Sequence, residues 1–275
     1  MFNNIKKIFD ITNTNIVLAT PLILYSLITT VYLAVSANGR LINLLFALFL
    51  FVLMTAAFLA GWGLMVKESV TNSENNEPAS LMKLFTMGVG EYFLSMLGSI
   101  SVILIFSTVM LVISYFIGAK FIGDPGVSAD ALTKAMQTAT ALKAFVASLT
   151  QEQLIKINQW NVLILSFVAL NYFLLMFYLP ALFYKTKNPL LAFGVSLKDL
   201  VSRRILKNIG IYSLIFVANF VISILSALFV GHSVMHFLVT LTNFYFITLV
   251  AVGIFYYYNN NFVTSYLGQN VDEIV

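Results

Sequence analysis

Few side chains in this sequence are of a type that does chemistry, and their spacing says what chemistry that would be. Glu91 follows Gly88 and Gly90 at the start of a long apolar run. A carboxylate at the edge of a membrane span is a proton or cation site by default, and Glu91 is the only acid with a claim on the membrane interior. Its plainer role is electrostatic, because a negative charge in the first turns of a helix complements the positive end of the helix dipole. His232 and His236 stand four apart, which on a helix turns both rings the same way, as in a metal-ligand pair. The third ligand would have to come from Asp124, Asp130 or Glu152, so histidines at a membrane interface are the preferred reading and no metal centre is expected. Asn43, Asn171, Asn219 and Asn243 fall inside apolar runs. A buried amide needs partners, so each either lines a polar pathway or ties one helix to another, and the second is commoner. Lys198, Arg203, Arg204 and Lys207 close an apolar-periodic stretch and suit anionic lipid headgroups or a protein partner.

What is missing narrows the choice further. The sequence has no Cys, no phosphate-binding Gly-rich loop with its Lys, no Gly-x-Ser-x-Gly, no His-Glu-x-x-His and no paired acids within an apolar run. Most hydrolytic and transfer mechanisms therefore lack parts, and neither an enzyme nor a bound cofactor is expected.

The elements that position these residues follow from charge. Only 9% of the 275 residues are charged, against roughly 25% in a soluble domain, so too little polar surface exists to cover a water-soluble body. The net charge of +4 is too small to argue for nucleic acid, and the basic residues serve as topology signals. Charge-free windows run over residues 11–39, 41–66, 92–119, 157–184 and 208–271. A helix needs about 20 apolar residues to cross the hydrocarbon core, so the last window holds two spans and each of the others one. The expected fold is all-α and polytopic, with spans at Asn15–Ser36, Ile42–Val66, Tyr92–Gly118, Trp160–Tyr184, Asn208–Val230 and Val234–Tyr258. Continuous runs such as Leu44 to Met54 exclude the alternating strands of a barrel. The whole chain, 1–275, reads as one integral membrane domain that includes an extracytoplasmic helical loop over 120–156.

Orientation comes from the positive-inside rule. With the amino terminus in the cytoplasm, Lys6, Lys7, Lys67, Lys83, Lys185, Lys187, Lys198, Arg203, Arg204 and Lys207 lie inside, and Arg40, Lys120, Lys134, Lys143 and Lys156 outside. Both termini are thus expected in the cytoplasm, the first span acting as a retained signal anchor. Three stretches repeat apolar residues at helical spacing and are expected to lie in the inner interface: Phe2, Ile5, Phe9 and Thr12; Leu81, Leu84, Phe85, Val89 and Tyr92; and Leu190, Phe193, Leu197, Leu200 and Val201. The last two follow Pro78 and Pro189, which suggests a parallel repeat. In the outer loop, Gly123 to Gly126 form a turn, apolar positions from Leu132 to Leu149 predict one helix, and Thr150 with Gln153 fits a capping box that opens the next. Ala56 with Ala60, Ala57 with Gly61 and Ser95 with Ser99 have the spacing of close helix contacts. Pro21 and Pro180 are expected to kink spans one and four. Trp62, Trp160, Tyr184 and Tyr256 to Tyr258 form an interfacial belt.

The run Asn188-Pro189-Leu190-Leu191-Ala192-Phe193-Gly194-Val195-Ser196, followed by a basic segment and a long apolar span, resembles a pattern in certain bacterial multi-pass proteins. These are similar to the membrane domain fused to some glycerophosphoryl diester phosphodiesterases and to its stand-alone relatives; the Phe85 to Phe93 segment (FTMGVGEYF) has a counterpart in the same group. The resemblance implies six spans in a bacterial membrane and adds no site residue. No soluble phosphodiesterase domain lies within these residues, so that activity does not carry over. The expected function is that of a non-enzymatic accessory or scaffold of the bacterial cytoplasmic membrane, in contact with anionic lipids and with a membrane or cytosolic protein. The alternative is a transporter or ABC-type permease subunit for a small or lipid-like substrate, in which Leu190 to Arg204 would be the coupling helix.

Overall fold

The computed structural model describes residues 2–36, 41–74, 80–202, 204–229 and 231–264, and every regular element among them is helical. In chain order these are α1 (Phe2–Thr14), a 3-10 turn (Ile16–Leu18), α2 (Ala19–Ser36), α3 (Leu41–Glu74), α4 (Leu81–Phe121), α5 (Ala129–Ala135), α6 (Ala139–Ser148), α7 (Gln151–Leu175), α8 (Tyr178–Tyr184), α9 (Pro189–Leu200), α10 (Ile205–Leu228), α11 (Ser233–Tyr258) and a π-helical turn (Asn259–Val263). Six helical stretches, Ile16–Ser36, Leu44–Ser73, Leu81–Phe121, Gln151–Tyr184, Ile205–Leu228 and Ser233–Val263, are long and apolar enough to cross a membrane. Large apolar side chains such as Leu94, Phe116, Leu206 and Leu228 stand in the open, a surface that hydrocarbon accepts and water does not. The chain is an all-α multi-pass membrane protein. Pro78, Arg40 and Arg203 lie outside the described residues.

Two helix starts are set by proline. Pro21 is the third residue of α2 and Pro180 the third of α8. Proline has no N–H to donate and its ring collides with the carbonyl four residues back, so it is tolerated in a first turn and breaks an interior. The expected kinks are therefore full restarts: the 3-10 turn precedes α2, and a two-residue turn at Met176 and Phe177 parts α7 from α8. Span three differs in the opposite sense. Leu81 to Tyr92, expected as a separate interfacial helix, runs unbroken into α4, because Gly88 and Gly90 weaken a helix without removing a backbone donor. Leu81, Gly88 and Tyr92 are buried. The stretch after Pro189 does end, at Val201, before α10 begins, so the two halves of the expected repeat are built differently.

The chain divides into two compact units. In the unit formed by residues 1–102 and 174–275, α3 is the central helix: its residues 60–66 are buried all round. α1, α2, α8 and α11 pack on it. A Cβ on Gly88 would lie 2.6 Å from the carbonyl oxygen of Ala60, so α4 crosses α3 with backbone almost in contact. Ala56 and Ala60 are fully buried in this packing, whereas Ala57 floors a groove. Trp62, expected in an interfacial belt, is buried against protein. Its indole N–H donates to the carbonyl of Leu18 at 2.8 Å, and its ring stacks on Phe58, which stacks on Tyr25. Tyr256 and Tyr258 are likewise buried in protein. α1 turns Ile8, Ile11 and Thr12 toward its neighbours and leaves Phe9 exposed, a face rotated from the expected one.

The second unit, residues 103–173, holds the loop helices. Here the expected single helix over Leu132 to Leu149 is two, α5 and α6, because the Thr138 hydroxyl accepts from the amide of Ala141 at 3.1 Å and caps a new start. The capping box is present: the Thr150 amide donates to Gln153 Oε1 at 3.0 Å and the Gln153 amide to Thr150 Oγ1 at 3.3 Å. The same Gln153 donates through Nε2 to the Gly126 carbonyl, and Gly123 and Gly126 both have positive φ, as the turn requires. Trp160 donates from its indole to the Gly123 carbonyl at 2.9 Å and covers Gly118, where a Cβ would lie 2.3 Å from the ring.

Candidate functional site

In the first unit, the carboxyl end of α3, the start of α4, α8, α9 and the end of α11 carry a set of charged and aromatic side chains that contact one another. The local structure of α9 explains how. Asn188 is its N-cap, with Oδ1 accepting from the amides of Leu190 at 3.0 Å and Leu191 at 3.2 Å, and Pro189 fills the first position, where no N–H is needed. The buried side chains of α9 are Ala192, Ser196, Asp199 and Leu200, spaced as one helical face. Leu190, Leu191 and Val201 point the other way and are exposed, as is Lys198.

Asp199 is only 4% exposed. Its Oδ2 lies 2.8 Å from Nζ of Lys185, the residue that ends α8, and accepts a hydrogen bond from the Tyr258 hydroxyl at 2.5 Å. The Lys185 ammonium also sits 5.3 Å from the centre of the Tyr258 ring. A buried charge without a partner is costly, and here carboxylate, ammonium and phenol satisfy one another across three elements. Beside them Asn208, wholly buried, donates to the Leu200 carbonyl at 2.8 Å and accepts from the Tyr257 hydroxyl at 2.9 Å. Phe177, in the break between α7 and α8, packs its ring against Tyr257, Tyr258 and Phe262.

The end of α11 widens into the π-helical turn because side chains compete for its carbonyls. Asn261 Nδ2 donates to Tyr257 O at 2.7 Å, and Thr264 Oγ1 donates to Asn259 O at 3.2 Å. Such turns recur at functional positions. Arg204, at the start of α10, donates from its guanidinium to Asn261 Oδ1. The whole network fixes α9 to α8, α10 and α11. Chemically it is a clamp: the carboxylate's charge is spent on Lys185, and among the described residues no three His, Asp or Glu side chains gather as a metal site would need.

The expected site residues are placed as follows. Glu91 is exposed and pairs with Lys187 at 2.7 Å, whose ammonium also lies 5.1 Å from the centre of the Tyr92 ring; the sequestered acid is Asp199. Asn171 donates to Ser107 Oγ at 3.0 Å and so ties α7 to α4 within the second unit, leaving its buried Oδ1 without a partner among the described residues. Asn219 is exposed on α10 and Asn243 is half-buried on α11. The Asn43 side chain and Arg203 lie outside the described residues. Lys198 and Lys207 are exposed, but Arg204 is turned inward onto Asn261. His232 has extended backbone and precedes α11, so it does not share a helix face with His236 as expected; both are exposed.

Asp199, Lys185, Asn208, Tyr257, Tyr258 and Asn261 were not among the expected site residues. Asp199 gave one signal: it falls seven residues after Ala192 and three after Ser196, on the small-residue face of its helix. The Asn259-Asn260-Asn261 run closing a span was the other. No family model, curated protein or solved structure matches the chain.

Proposed function

We propose that this chain is a non-enzymatic accessory or scaffold protein of the bacterial cytoplasmic membrane, with both termini in the cytoplasm, and that α9 is its contact element. The observation that carries the reading is the clamp itself. Asp199, Lys185 and Tyr258 hold one face of α9 against the bundle, and this fixes Leu190, Leu191 and Val201 outward beside Lys198. A helix end with apolar side chains and lysines suits anionic headgroups and a membrane or cytosolic protein seated among them. The resemblance of Asn188 to Ser196 to the stand-alone membrane relatives of the phosphodiesterases agrees with this role. A pathway lined by the span asparagines has less support, since Asn171 is engaged in helix-to-helix bonding.

A photo-crosslinking amino acid in place of Leu191 tests the proposal in cells. The expected outcome is a discrete adduct of one partner's mass, lost in K198E/K207E. Purified protein that alone carries a solute across liposomes, with no adduct at Leu191, overturns it.

A further inference from the structure

The loop between α4 and α7, all within the second unit, carries four large apolar side chains in the open. α5 and α6 pack on each other and are joined by three residues, Met136, Gln137 and Thr138, a connection of the length that makes two helices antiparallel. Ala135 is buried and Ala131, Ala141 and Phe145 are half-buried. Within each helix these covered residues stand four apart, so they form the two rows that meet. Leu132 and Met136, whose backbone is still helical, follow the α5 row by one residue, and Leu142 and Val146 follow the α6 row by one residue; all four are exposed. One residue is a rotation of about 100°. Equal rotations in the same sense bring both pairs to the same side of an antiparallel hairpin, which therefore has one apolar side. Asp130, Lys134, Thr140 and Ser148 fall on the other side, and Lys143 borders the apolar one.

What covers that side follows from where the hairpin is attached. Gln153 Nε2 donates to the carbonyl of Gly126 at 3.0 Å, two residues before the α5 cap at Ser128, and only Leu149 and Thr150 separate α6 from α7. Both feet of the hairpin thus stand at the first turn of α7, which opens a stretch apolar enough to cross the membrane. Leu154 and Ile155 of that stretch are exposed, as is Phe121 at the end of α4. The lipid-facing surface of the two spans therefore reaches the feet of the hairpin, and acyl chains are the nearest medium in which its apolar side loses contact with water. Helices divided in this way settle at headgroup level, with lysines toward the phosphates. We propose that the α5–α6 hairpin lies on the bilayer at this end of α4 and α7, with Leu132, Met136, Leu142 and Val146 among the acyl chains and Lys143 at the level of the phosphates.

The chain has no cysteine, so Met136→Cys, Val146→Cys, Lys134→Cys and Thr140→Cys, all at exposed positions, can each carry one environment-sensitive fluorophore. The full chain is reconstituted in vesicles of phosphatidylglycerol and phosphatidylethanolamine, with iodide on both sides of the membrane as the aqueous quencher and acyl-chain nitroxide lipids as the other. At 136 and 146 emission should shift to shorter wavelength, lipid nitroxide should quench and iodide should not. At 134 and 140 iodide should quench and lipid nitroxide should not. Any other distribution overturns the proposal: iodide quenching at 136 or 146 would leave the apolar side in water, protection from both quenchers would mean that protein covers it, and lipid quenching at all four positions would mean that the hairpin has no wet side.

Discussion

Asp199 and Lys185 make the sharpest residue-scale case. The carboxylate is buried, its partner's side chain is mostly covered, and Tyr258 completes the set. Removing one member of a buried pair leaves a charge stranded, whereas replacing both with apolar groups of similar size removes the stranded charge as well. K185M, which strands the buried Asp199 carboxylate, is therefore expected to destabilise the first unit by about 3–5 kcal/mol, and K185M/D199L to lose much less, both read from unfolding midpoints in detergent. Gly118 supplies a second test. The ring of Trp160 occupies the space where a Cβ would go, so G118A in a W62F background should displace it from the Gly123 carbonyl, shift its emission to longer wavelength and cost about 1–3 kcal/mol. The sequence hid the first of these sites for a physical reason. An aspartate in a basic stretch reads as solvated, and only partners 14 and 59 residues away take it out of water. Glu91 read as the membrane acid because it borders an apolar run, yet Lys187 reaches it at the surface.

At the scale of elements, legibility followed the range of the interaction. Caps and restarts are local: the Thr150 and Gln153 box was visible in four residues, and Pro21 and Pro180 marked the beginnings of α2 and α8. Which face a helix buries is not local. Thr12 and Leu200 of the expected apolar rows of α1 and α9 are buried, but packing also took in Ile11 and the small or polar Ala192, Ser196 and Asp199, where backbones approach closely or a charge finds its partner, and left Phe9, Leu190 and Val201 exposed. α9 depends on its cap to start in the right place. N188A should cost about 0.5–2 kcal/mol and raise hydrogen exchange at Leu190 to Phe193, with little change in α11.

For the whole molecule, the map of charge-free windows carried the architecture because hydrocarbon excludes ions wherever the chain goes, whatever it packs against. All six expected spans coincide with helices of the structure, and where the edges moved, as in α4, the extra residues joined an adjoining stretch to the span. The division into two units had no such signature, since both expose large apolar side chains.

The proposed arrangement, an even number of crossings with α9 on the cytoplasmic face, makes a demand that one labelling experiment can meet. The sequence contains no cysteine, so a single introduced thiol reports without background. Lys6→Cys, Lys198→Cys and Thr140→Cys would each be treated with a membrane-impermeant maleimide from either side of the membrane. Positions 6 and 198 should react only from the cytoplasmic side and position 140 only from the other. Labelling of 198 and 140 from the same side would mean that the crossings are misassigned, and with them the place of α9 as the contact element.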